Sequence, residues 1–153
     1  MLFFGREKMP FGTRNPYAAY QSTGIKTASQ GSLVVMLYRG AVKELTAADA
    51  CFGADGKIAA PLIEKYGKHV LKAQEIIGEL QASLNMDVGD ISNNLMSLYI
   101  YFNHELTTAS INKDRKKLQF VLDMMRQLTG AWETAATTTT ATNIAQPVVN
   151  IQG

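Results

Sequence analysis

Two histidines, one cysteine and a Gly-Lys pair are the residues of this 153-residue chain with the plainest chemical reach. Each asks for neighbours that the sequence does not supply. A di-metal site inside a helical bundle needs Glu-x-x-His pairs, yet Tyr66 stands three positions before His69 and Tyr101 three before His104. His104-Glu105 opens like a zinc-protease motif, but Thr108 occupies the place where HExxH puts its second histidine. The stretch "GADGKI" lacks the spacing of a phosphate-binding loop, the hydroxyl residue after the lysine and a preceding strand, so it reads as a surface turn.

Cys51 has no histidine near it in sequence, and a single thiol makes neither an internal disulfide nor a zinc site. It reads as a small packed or exposed side chain in a chain suited to a reducing cytoplasm. The run Lys113 to Lys117, "KDRKK", sits at a helix start, where cations are slightly unfavourable. It reads as a solvated face, with a docking point for an acidic partner as the functional alternative. No catalytic, cofactor or metal constellation emerges, so the expectation is a binding protein that is not an enzyme and has no cofactor.

Composition narrows the partners. Fifteen Lys and Arg against 13 Asp and Glu leave no electrostatic footprint for nucleic acid or an anionic membrane. No apolar run approaches the ~18 residues that cross a bilayer, and "MLFFGREKMPFG" has no continuous h-region of a secretory signal. A cytoplasmic chain without membrane insertion is expected. Its length suits one domain with one core.

The elements follow from apolar spacing. After Ser29, a candidate N-cap, Leu33, Leu37, Ala41 and Leu45 lie on one helical face, with Val34, Tyr38 and Val42 beside them. Ile63, Tyr66, Val70, Ala73, Ile77, Leu80 and Leu84 alternate steps of 3 and 4, the seam of a second helix about 40 Å long. After "NMDVGD", where Asp87 or Asp90 can cap, a third stripe runs through Ile91, Leu95, Leu98, Phe102, Leu106 and Ala109, flanked by Tyr99. Capped by Asn112 or Asp114, a fourth carries Leu118, Val121, Met125, Leu128 and Trp132. Met96 and Met124 lie one residue off the stripes and suit the lining of a groove. Four amphipathic helices with short connections predict an all-α, elongated antiparallel four-helix bundle.

Three stretches together resemble the flagellar export chaperones of the FliS family: "NPYAAYQSTGIKTASQGSLVVMLYRGAVKEL", "AQEIIGELQASLN" and "GDISNNLMSLYIYFNHELTTASINKD". They occur in the family's order, from about Asn15 to Trp132. The resemblance implies a cytoplasmic chaperone that binds the C-terminal segment of flagellin along apolar grooves outside the bundle, prevents its premature polymerisation and delivers it to the flagellar type III export apparatus. It also implies an N-terminal lid over part of that surface. Matched to the family pattern, Tyr17, Tyr20 and Ile25 would fill the groove, with Thr27 at the hinge. Leu33, Leu37, Tyr38, Tyr99 and Phe102 are the candidate groove residues.

The expected organisation is a flexible N-terminus at 1–14, a lid segment at 15–30, the bundle at 31–136 and a Thr-rich tail at 137–153. Three features depart from the family. Gln30 and Gly31 follow "TAS" where proline is common, "KDRKKL" replaces an acidic first turn, and the tail is an addition. Free of client, the protein is expected to be a monomer or weak homodimer; the rival reading is a self-associating structural bundle.

Overall fold

Steps of three and four between apolar residues become four α-helices in the computed structural model, which describes residues 30–142. They are α1 (Gln30–Asp49), α2 (Ile63–Ala82), α3 (Asp90–Asn112) and α4 (Arg115–Thr142). Short 3-10 turns at Ala60–Leu62 and Met86–Val88 lead into α2 and α3. Helix α1 packs on α2 and α4, and α3 packs on the same two, so α1 and α3 are diagonal in an up-down-up-down bundle. The all-α expectation holds: apart from one bridge pairing Phe52 with Ile58, the described residues carry no β-pairing.

Each helix stops for a local reason. The turn after α1 closes with Gly53 N–H donating to the Lys57 carbonyl at 2.8 Å, around Gly56 at φ 77°, which makes "GADGKI" a surface turn as its sequence suggests. Pro61 lies in the 3-10 turn, and α2 proper begins at Ile63. With 20 residues it is about 30 Å long, shorter than the expected 40 Å; α4, with 28 residues, is the long element at about 42 Å. Asn85 accepts from Asp87 N–H to cap the turn before α3, while Gly89, at φ 101° and ψ −144°, takes a backbone conformation that only glycine adopts readily. Asp114 caps α4, its Oδ1 accepting from Lys117 N–H at 3.2 Å.

The core is the predicted stripes, with their ends displaced outward. Leu37, Leu45, Tyr66, Ile77, Leu106 and Met125 are almost wholly enclosed. Ile63 and Ile91, first in their stripes, are instead 42% and 55% exposed. Both sit in a first turn, where side chains tilt back toward the helix N-terminus and therefore past the packed neighbours. Helix α4 runs on to Thr142, into the stretch expected to begin a tail at 137. Alanines at 131, 135, 136 and 141 flank the run Thr137 to Thr140, and extending a helix already nucleated costs far less than starting one.

Candidate functional site

The sequence candidates separate into two groups. Tyr17, Tyr20, Ile25 and Thr27 lie outside the described residues. Leu33, Leu37, Tyr38, Tyr99 and Phe102 are all interior, between 0% and 5% exposed. Leu37, Tyr38, Tyr99 and Phe102 belong to the core cluster and fix the helices that carry the outer surface, while Leu33 is buried outside that cluster. Tyr38 and Tyr99 join across the diagonal, their hydroxyls 2.6 Å apart, and Trp132 packs on the Tyr38 ring at 6.2 Å. Burial pushes both phenols above the ordinary tyrosine range.

The open apolar surface lies between α3 and α4. Tyr101 of α3 meets Phe120 of α4 edge to face at 6.1 Å, and the two rings remain 46% and 43% exposed. At about 100° per residue, Leu98 and Ile91 follow Tyr101 up the same flank of α3. On α4 the matching flank continues from Phe120 through Met124 and Leu128. Leu95, Leu98, Met124 and Leu128 are half-buried against the core. They form a floor, and Ile91, Tyr101 and Phe120 stand out of it.

The other flank of α3 differs. There Gln74 of α2 donates to the Asn103 carbonyl at 3.1 Å and to Thr107 Oγ1 at 2.9 Å, while Gln81 donates to the Met96 sulfur at 3.5 Å. This polar ladder closes the α2–α3 seam. Beyond it stand Leu71, Ile100 and Ile111, exposed by 55%, 54% and 70%. Tyr101, Phe120, Leu71, Ile100 and Ile111 were not among the sequence candidates. The signal for them was present: each is an apolar residue lying off the 3–4 stripe of its own helix.

Several titratable residues hold helices together. His69 Nδ1 pairs with Glu44 at 2.7 Å, and Cys51 is buried with its thiol directed at the Ala47 carbonyl. Arg115 binds Asp49 at 2.8 Å while stacking over Phe52, and Lys117 binds Glu105 at 3.0 Å. These bonds hold both cations above their ordinary pKa. Among the described residues, no group of three or more His, Cys, Asp or Glu side chains is placed to hold a metal ion. No described helix is long and apolar enough to cross a membrane.

Among the described residues, a half-buried apolar floor between α3 and α4 carries the partly exposed Ile91, Tyr101 and Phe120, and comparison with known proteins places the chain. The family model described as "Flagellar protein FliS" matches residues 13–139. The "Flagellar secretion chaperone FliS" of Bacillus subtilis (strain 168) is 32% identical over 122 residues, covering 80% of this chain and 86% of that protein. Its namesake from Vibrio cholerae serotype O1 (strain ATCC 39315 / El Tor Inaba N16961) is 30% identical over 125 residues, covering 78% of this chain and 88% of its own. With its four helices and most of its length inside these matches, the chain belongs to the FliS family of flagellar proteins.

Proposed function

We propose that the protein is a cytoplasmic secretion chaperone that holds the C-terminal segment of flagellin along the α3–α4 groove. It keeps the segment from polymerising and passes it to the flagellar type III export apparatus. The observation that carries the reading is the exposed strip of Ile91, Tyr101 and Phe120 on a member of this family. An amphipathic client helix fits such a strip with apolar anchors at i, i+3 and i+7. Binding is the protein's work; no step of catalysis is invoked.

In this reading Tyr17, Tyr20 and Ile25 occupy the groove when the client is absent, with Thr27 as the hinge. Leu37, Tyr38, Tyr99 and Phe102 act from beneath, by setting the spacing of α1, α3 and α4, and Leu33 lies at the end of α1 nearest the lid in sequence. A disordered client that orders on docking offsets its own conformational entropy, so a large contact area is expected to yield only moderate affinity.

Calorimetric titration with a peptide of the last ~50 residues of the same organism's flagellin tests the proposal, a length on the scale of coupled-folding interfaces. Saturable one-to-one binding with a negative heat-capacity change is the expected result. The proposal is wrong if the folded wild type and the Tyr17→Ala/Tyr20→Ala variant both give no heat of binding. A second reading, self-association through the α2–α3 flank, is favoured by the exposure of Leu71 and Ile111. Light scattering at micromolar concentration distinguishes it.

A further inference from the structure

The α3–α4 groove carries charged side chains of opposite sign at its two ends, and four of them have no ion pair among the described residues. Beyond its cap, Asp114, whose carboxylate is occupied with Lys117 N–H, the first turn of α4 has no acidic side chain, although cations at a helix start oppose the macrodipole. Asp49 and Glu105 neutralise Arg115 and Lys117. Lys113 and Lys116 are exposed and have no ion pair among the described residues. Lys116 lies four residues before Phe120, on the same face of α4.

The opposite end is acidic. Asp87, in the turn before α3, and Asp90, in its first turn, are exposed and also without an ion pair among the described residues. Ile91, the last apolar residue of the strip, adjoins them. Between the ends, Glu105 of α3 is paired within the fold, to Lys117 of α4. Helix α3 has 23 residues, so the two free charge pairs sit about 35 Å apart.

A docked helix brings its own dipole, partly positive at the N-terminus and partly negative at the C-terminus. Only one orientation satisfies both ends of the groove. Resting on the client reading above, we infer that the client helix lies parallel to α3, its N-terminal end at Asp87 and Asp90 and an acidic C-terminal end over Lys113 and Lys116. The reverse orientation sets like charge against like at both ends.

The test uses the full chain and the flagellin peptide of the last ~50 residues, isotopically labelled, a length on the scale of coupled-folding interfaces. Asn94 and Asn112 are exposed on α3 and lie 18 residues apart, five full turns, so a nitroxide at either position stands beside the same groove. A label on Asn112→Cys should broaden the C-terminal end of the bound helix, and one on Asn94→Cys its N-terminal end. The opposite pattern overturns the inference. In parallel, Lys113→Gln/Lys116→Gln should weaken binding about threefold to tenfold at low salt, while Lys43→Gln on α1 has no effect. The difference should vanish near 1 M salt, where the screening length is about 3 Å. Equal affinity of the double variant and wild type at low salt also overturns the inference. Failure of the wild type to bind at any salt removes the client reading itself, a distinct result.

Discussion

The hydroxyls of Tyr38 and Tyr99 meet at 2.6 Å inside the bundle, where neither phenol reaches bulk water. Removing one leaves the other's polar group buried with a bond lost, which costs about 1–3 kcal/mol; removing both together costs less than the sum. Tyr38→Phe and Tyr99→Phe should therefore each lower stability, with a favourable coupling of about 1 kcal/mol in a double-mutant cycle measured by denaturant unfolding. Strict additivity would show that the pair contributes nothing as a pair. Tyr66 gives a pH-dependent case. Its hydroxyl donates to the Ala109 carbonyl at 2.8 Å, and burial first, then the charges of Asp114, Cys51 and Asp49, push its pKa up to about 12. The folded state favours the neutral phenol, so this contribution is complete below pH 10, the ordinary tyrosine value, and is lost as pH rises through about 12. Thermal melts across that window should show a falling midpoint. Tyr66→Phe should lose about 1 kcal/mol at neutral pH and show a smaller alkaline decline.

At the scale of elements, helix ends decide what the stripes leave undecided. Helix α3 ends on Lys113, a non-glycine residue at φ 53° and ψ 46°, with its N–H bonded to the Ala109 carbonyl. A left-handed cap suits glycine, and a side chain there costs about 1–2 kcal/mol. Lys113→Gly should raise stability by about 1 kcal/mol, seen as a melting midpoint several degrees higher, while weakening client binding at low salt. An unchanged midpoint would mean that the lysine stem supplies compensating contacts. The stripes themselves were legible because periodic burial is a property of each helix alone: Tyr66, Val70, Ala73, Ile77 and Leu80 are all fully enclosed. Ile63 and Ile91 obey the same spacing and are exposed, because their fate depends on how far neighbouring helices extend. Composition cannot separate a groove from a core either. Leu37 and Phe102 carry the apolar character expected of a groove, and the three-dimensional packing encloses them.

The whole molecule presents two unlike flanks of one helix. On the side of α4, Ile91, Tyr101 and Phe120 stand over a half-buried apolar floor; on the side of α2, Leu71, Ile100 and Ile111 stand beside the polar ladder from Gln74 to Thr107. If the client occupies the first flank and self-association uses the second, the two activities separate by mutation. Ile91→Ser/Phe120→Ser removes two anchors, each contributing about 1–2 kcal/mol when fully buried, so peptide affinity should fall at least tenfold. Both side chains are already about half exposed in the free protein, so the melting midpoint should move by only a few degrees. Leu71→Ser/Ile111→Ser should leave peptide affinity unchanged and shift any concentration-dependent dimer toward monomer in sedimentation. The opposite pairing of effects would place the client on the α2–α3 flank. Loss of peptide binding in both variants, with folding intact, would instead mean that the client wraps across α3 and uses both flanks at once.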